Sequence, residues 1–264
     1  MERGQGAMEA RGGADIPVLT ARPGGPAERF AKSLGRRDPV TVFLAAVIAG
    51  YVVLTASTIG LGFLLTKVIL SIGGIAHADE HVEVWLASHR SHVLTQASLV
   101  GSILAGGVVL PILVGLVVVT SVLLRRWRVA AFVLAAIVVE SAAYRVTTIF
   151  VHRHRPQVPR LESLPVNASY PSGHTAASIA VYVGLVLLLT SRFRNPALRT
   201  VSWVIAIAIP PFVAFSRLYR GMHHPLDVAA GALLGVAALM VVLFAARAAG
   251  VAVDRRRHAG QGQL

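Results

Sequence analysis

Long apolar runs alternate with short polar links along most of this chain. The runs cover residues 41–66, 97–124, 129–148, 171–190, 201–215 and 227–246, each near the length that carries a helix across a bilayer. The pattern predicts six membrane spans. The fifth is short and contains Pro210-Pro211, which removes two backbone donors from a helix interior, so a five-span count is the alternative. Between the first two spans, residues 79–94 mix apolar Val82, Trp85 and Leu86 with charged and polar positions, as in an amphipathic helix lying in the membrane interface. The expected fold class is therefore all-α: a polytopic membrane protein of six transmembrane helices, with a short interfacial helix between the first two.

Composition agrees with that reading. Of the 264 residues, 55% are hydrophobic, too many for an ordinary soluble domain. Residues 1–38 are rich in Gly, Ala, Pro and Arg without apolar periodicity and read as a disordered tail. Residues 39–250 form the expected six-helix domain, and 251–264 a basic tail. The first apolar run starts too late and runs too long for a cleaved signal, so it is expected to stay as an anchor. A formal charge of +13 raises the possibility of nucleic acid, but no basic stripe or nucleic-acid motif accompanies it. Cysteine is absent, which excludes disulfides and thiolate metal sites.

The arginines report topology instead. Arg29, Lys32, Arg36 and Arg37 precede span one; Arg125, Arg126 and Arg128 follow span two; Arg192, Arg194 and Arg199 follow span four; Arg255, Arg256 and Arg257 close the chain. Six spans put all of them on one face, which the positive-inside rule makes cytoplasmic, with both termini. Arg153, Arg155, Arg160, Arg217 and Arg220 are left on the outer face against that rule. Cations kept on the wrong side imply a fixed anionic partner.

Three polar clusters lie at span ends on that outer face: 152–156 (HRHRP), 171–174 (PSGH), and Ser216-Arg217 with His223 and Asp227. Arg155 and Arg217 offer planar, permanently charged forks to phosphoryl oxygens. Ser172 adds a hydroxyl, and Gly173 lets an anion approach the backbone at a helix start. Two histidines allow separate jobs in phosphate-ester cleavage: His223 as nucleophile on phosphorus, His174 as the acid that protonates the leaving oxygen. Asp227, four residues after His223, is placed to hold that imidazole's tautomer.

These residues, in this order and spacing, resemble the type 2 phosphatidic acid phosphatase superfamily: Arg155-Pro156, Pro171-Ser172-Gly173-His174, and Ser216-Arg217 with His223 and Asp227. The resemblance covers roughly 94–243. It implies a metal-independent membrane lipid phosphatase with a six-helix core and an extracytoplasmic site. His223 would form a phosphohistidine with Asp227 assisting, His174 would protonate the leaving group, and Arg155, Ser172, Gly173 and Arg217 would bind phosphate. No cofactor is implied. One position departs from the pattern: the lysine usual seven residues before the arginine is Thr148 here. Thr148 keeps a hydroxyl, and the missing cation is expected from Arg145, one turn back, or alternatively from Arg153.

Other polar residues receive plainer readings. His81, His89 and His92 lack a tight metal-ligand spacing and are read as a wet helix face, with no metal site. His224 reads as a residue behind the site or in solvent; His152 and His154 read as surface groups. Glu140, inside span three, is expected to face the bundle and bond Tyr144. Glycines at 101–107 and 231–235 are expected to permit close helix packing. The partners expected are a lipid phosphate or polyprenyl pyrophosphate substrate and membrane lipids of the plasma membrane, and no nucleic acid. The alternatives are a lipid-linked phosphotransferase and a non-catalytic lipid-binding or transporter-like protein of the same fold. The motifs read neither the lipid nor the oligomeric state.

Overall fold

The computed structural model describes residues 16–163 and 168–261. Besides 3-10 turns at Pro17–Leu19 and Ile69–Ser71, the helices are α1 (Pro26–Ser33), α2 (Pro39–Lys67), α3 (Ile75–Ser88), α4 (His92–Leu104), α5 (Val109–Leu123), α6 (Trp127–Phe150), α7 (Gly173–Ser178), α8 (Gly184–Thr190), α9 (Pro196–Tyr219) and α10 (Pro225–Gln261). Among the described residues, six helical segments are long and apolar enough to cross a membrane: Pro39–Ser71, His92–Leu123, Trp127–Phe150, Gly173–Thr190, Pro196–Tyr219 and Pro225–His258. This is an all-helical integral membrane protein with six spans, and α3 is the short helix between the first two.

Two spans are interrupted. The second is α4 and α5 joined through a break at residues 105–108, and the fourth is α7 and α8 joined by a π-helical stretch at Ile179–Val183. The fifth, α9, is continuous through Pro210 and Pro211 and longer than the apolar run suggested. The Asn195 side chain caps its start, accepting from the N–H groups of Ala197 and Leu198 at 2.9 and 3.2 Å. The first span starts likewise, with Asp38 capping the N–H groups of Val40 and Thr41 and Pro39 at the first helical position.

Large apolar side chains such as Val40, Leu44, Ile48, Ile112, Leu116, Ile207 and Met240 point outward and form the surface that lipid would cover. The core lies where α10 packs against α2, α6 and α7, and where α9 packs against α4 and α7. Glycine sets the closest approaches. A Cβ on Gly231 would collide with the Ser172 carbonyl, one on Gly235 with Ala176, and one on Gly101 would lie 2.8 Å from the Ser216 Cβ. Gly107, from the same glycine-rich stretch as Gly101, has open space around it and belongs to the break before α5.

Both tails differ from expectation within the described residues. From Ile16 onward the N-terminal segment is ordered: Leu19, Ala27 and Ala31 are buried, and α1 packs against α10 with Phe30 edge-on to Phe244. Its composition lacks a long period, but one helical turn of small apolar residues is enough when α10 offers a surface to dock on. Residues 1–15 of the expected tail lie outside the described residues. No separate tail begins at 251, because α10 continues to Gln261; at 1.5 Å per residue it is about 55 Å long, well beyond a bilayer's hydrocarbon.

Candidate active site

Alternating helix directions bring the end of α6, the start of α7, the end of α9 and the start of α10 to one face of the bundle, and the three sequence clusters with them. Ser172 donates its backbone N–H to the Asp227 carbonyl at 2.9 Å, joining the start of α7 to that of α10. Arg155, Ser172, Arg217, His223 and Asp227 are all buried there. His223 is under the electrostatic influence of Arg217, Arg155, Asp227 and His174. His174 in turn is influenced by Arg217, Glu162 and Arg155.

The two cations are held differently. Arg217 is 0% exposed; one terminal nitrogen donates to Ser102 Oγ at 2.5 Å and to Glu162 Oε2 at 2.8 Å. Its Nε and other terminal nitrogen have no hydrogen-bond partner among the described residues. Two buried donors on a permanent cation are costly to leave unmade, and a tetrahedral oxyanion would satisfy both. Arg155 donates to the Met222 carbonyl, and burial first, then the charge of Arg217, lowers its proton affinity. The loop 154–160 encloses a cavity of about 320 Å³ bordered by Arg155, His154, Gln157 and Arg160. Glu162 also accepts from Arg220 Nε. Burial alone would raise its carboxyl, but the Arg217 charge and hydrogen bond outweigh that and hold it down to about 2.

Asp227 does not bond the His223 ring. His223 Nδ1 lies 2.7 Å from the Ser169 carbonyl. A carbonyl can only accept, so Nδ1 carries the proton and the neutral ring's lone pair sits on Nε2. Burial, reinforced by Arg217 and Arg155, pushes this imidazole well below its ordinary value, so it is neutral at neutral pH. The Asp227 carboxylate accepts instead from Arg153 at 2.5 Å, from Ser169 Oγ at 2.6 Å, and from the His224 backbone N–H and Nδ1 at 2.9 and 3.1 Å. The four-residue spacing would align the two side chains only within a continuous helix. Here α10 starts at Pro225, and His223 lies in the turn before it, so the aspartate reaches the histidine through Ser169.

His224 is the opposite of its neighbour. Nδ1 faces Asp227 and Nε2 faces Glu80 at 2.9 Å; both nitrogens can donate to carboxylates only in the imidazolium form. Burial works against that charge, but the Asp227 and Glu80 hydrogen bonds raise its proton affinity overall. Of the two readings for this residue, the one behind the site holds.

The acids of α3 complete the arrangement. Asp79 pairs with Arg153 and accepts the Leu226 N–H at 3.0 Å, while Glu80 accepts the Gln157 N–H at 2.9 Å. Val82 and Trp85 face outward and Asp79 and Glu83 are buried, so this helix presents its acids to the site and its apolar side to the interface. Periodicity alone pointed to a wet polar face; the exposed His81 and His89 fit that, the acids do not.

Of the replacements considered for the missing lysine, Thr148 and Arg153 are otherwise engaged and Arg145 is exposed. Thr148 Oγ1 donates to the Arg145 carbonyl at 2.8 Å. Arg145 is exposed on the outside of α6. Arg153 is held between Asp79 and Asp227. Glu140 is buried but accepts from Ser141 at 3.0 Å and does not bond Tyr144. Ser169, Glu162 and the α3 acids carry no motif, so nothing in the sequence singled them out.

Part of the chain resembles known proteins. Residues 127–249 match the family model described as PAP2 superfamily. An undecaprenyl-diphosphatase of Sulfolobus acidocaldarius is 36% identical over 107 residues, covering 40% of this chain and 48% of its own length. Human sphingosine-1-phosphate phosphatase 2 is 36% identical over 89 residues, covering 33% of this chain and 21% of its own. The matches thus span about half or less of those relatives. The crystal structure of a transmembrane PAP2 type phosphatidylglycerolphosphate phosphatase from Bacillus subtilis superposes with a TM-score of 0.60 at 22% identity, covering 78% of this chain and 94% of that one, which shows a shared fold. The motif-bearing helix ends at 152–156, 171–174 and 216–227 all fall inside the segment 127–249 that is similar to the PAP2 superfamily model.

Proposed function

We propose that this protein is a membrane phosphatase that removes phosphate from a lipid phosphate or polyprenyl pyrophosphate at the extracytoplasmic face, through a phosphohistidine on His223. The observation that carries the reading is the pairing of a neutral, tautomer-fixed His223 with the buried, half-unpartnered guanidinium of Arg217. The named activities of the relatives, among them an undecaprenyl-diphosphatase and a sphingosine-1-phosphate phosphatase, support the same substrate class.

In the first half-reaction His223 Nε2 attacks phosphorus and the bond from phosphorus to the leaving oxygen breaks. His174 delivers the proton to that oxygen, releasing a lipid alcohol from a monophosphate or a lipid monophosphate from a pyrophosphate. Arg217, Arg155 and the amides and hydroxyl at Ser172-Gly173 stabilise the charge on the equatorial oxygens, the larger part of catalysis in phosphoryl transfer. In the second half His174 accepts a proton from water, the water oxygen attacks phosphorus, and the bond to Nε2 breaks. Inorganic phosphate leaves and both histidines return to their starting states. The distribution of arginines supports an extracytoplasmic site, cytoplasmic termini and residence in the plasma membrane.

Purified protein in detergent, offered diacylglycerol phosphates and polyprenyl pyrophosphates, should release phosphate in the presence of a chelator. His223→Ala should abolish release while keeping the wild-type melting temperature. Wild-type turnover that is lost with chelator and restored by a divalent cation would overturn the metal-free reaction, and turnover surviving in His223→Ala would overturn the nucleophile.

A further inference from the structure

The resemblance leaves one element of the phosphate site without a residue, and of the side chains the sequence offers for it two are engaged elsewhere and one is exposed. Thr148 bonds its own helix, Arg145 is exposed, and Arg153 is bound to Asp79 and Asp227. Another side chain on the same helix does reach the phosphate loop. Tyr144 lies one turn before Thr148 on α6, and its ring rests on the backbone at Gly173. A Cβ there would lie 3.0 to 3.2 Å from the Tyr144 ring atoms Cε2, Cδ2 and Cζ. The ring therefore borders the Ser172-Gly173-His174 turn, and Cζ, the atom bearing the hydroxyl, is among the atoms closest to it. Electrostatic interaction links the phenol to Arg155, Glu140, Arg145 and Arg217, so it lies within the field of both phosphate-site guanidinium groups. Glu140, the neighbour expected to bond its hydroxyl, accepts from Ser141 instead.

We propose that the Tyr144 hydroxyl donates a hydrogen bond to the transferred phosphoryl group, supplying the contact that the missing lysine would have made. The inference rests on the phosphate-site reading above and adds a residue to it. A neutral donor replaces a cation, so the site holds the phosphoryl group with the charge of two guanidinium groups and a phenol that contributes direction rather than charge. Gly173 is required twice, once for anion approach and once to leave room for this ring.

The test uses the full chain in detergent, with orthovanadate as the phosphoryl mimic. Tyr144→Phe keeps the ring on Gly173 and should leave the melting temperature unchanged, while weakening vanadate affinity roughly tenfold or more, as expected for a hydrogen bond to a charged group. KM for the lipid substrate should rise with it. Thr148→Lys, added to Tyr144→Phe, should recover vanadate affinity by restoring a cation one turn away. Should the phenylalanine variant fold poorly, 3-fluorotyrosine placed at position 144 reads the same contact in the native fold, and its fluorine resonance should shift when vanadate is added. Vanadate affinity equal to wild type in a folded Tyr144→Phe, or an unmoved fluorine resonance, overturns the assignment. Wild-type phosphate release decides the proposed function, whereas the ratio between wild type and Tyr144→Phe decides this one. A wild type that neither turns over nor binds vanadate sinks both.

Discussion

Ser169 makes the sharpest test of how the carboxylate of Asp227 serves His223. Its hydroxyl donates to Asp227 at 2.6 Å, its carbonyl receives His223 Nδ1 at 2.7 Å, and its own N–H donates to the Arg153 carbonyl at 2.8 Å. Ser169→Ala removes only the first of these. A hydrogen bond to a charged group contributes about 1.5–3 kcal/mol. If that energy serves to hold the Ser169 carbonyl in line with the imidazole through the transition state, its loss lowers kcat about 10- to 150-fold at roughly 1.4 kcal/mol per decade. KM should change little, because Arg155, Arg217 and the start of α7 are untouched. The assay is steady-state phosphate release from the best substrate over pH 4–9. The burial that depresses His223 remains, so the acid limb of the profile should stay below the ordinary histidine range in the variant as in wild type. The reasoning is refuted if Ser169→Ala keeps wild-type kcat while Asp227→Asn loses it, since Asp227 would then act on the histidine directly.

Three further outcomes follow from the packing and the charges. Glu83 is buried with both carboxylate oxygens unpartnered among the described residues, and burial raises its carboxyl to about 8; a raised folded value means stability is full below the unfolded value near 4.5 and lost as pH rises through 8, so Glu83→Gln should melt higher than wild type at pH 9 with a smaller difference at pH 5, and equal shifts at both would count against it. Glu162, held down to about 2, contributes stability that is present above about 4.5 and lost only as pH falls toward 2; Glu162→Gln should therefore lower the melting temperature by the same amount at pH 6 and pH 8, and a deficit that changes between them would show that the pairing with Arg217 and Arg220 titrates in that window. Gly231→Ala would press a methyl into the Ser172 carbonyl; overpacking of this kind costs about 1–3 kcal/mol, read as a lower melting temperature together with reduced turnover, and a wild-type melting curve would mean that α7 and α10 can separate at no cost.

Six spans, an interfacial helix and the end of the bundle where the three polar clusters gather were all legible in the chain, because hydrocarbon imposes the same rule on every crossing: about 20 apolar residues, with polar groups confined to the ends. Arg155, the 171–174 turn, Arg217 and His223 were legible for a related reason, since buried charges and titratable groups at span ends are too costly to be incidental. What lay beyond the sequence was which polar group meets which. The order at Ser169, Asp227, His223 and His224 depends on α10 starting at Pro225 rather than a turn earlier, and on Gly231 letting Ser172 approach its backbone. Periodicity describes which face of one helix is apolar; it carries no information about the partner across 58 or 144 residues of chain, the separations that join Ser169 to Asp227 and Glu80 to His224. Those contacts are fixed by the packing of whole helices, and with them the tautomer of His223, the charge on His224 and the place of Tyr144 beside Gly173.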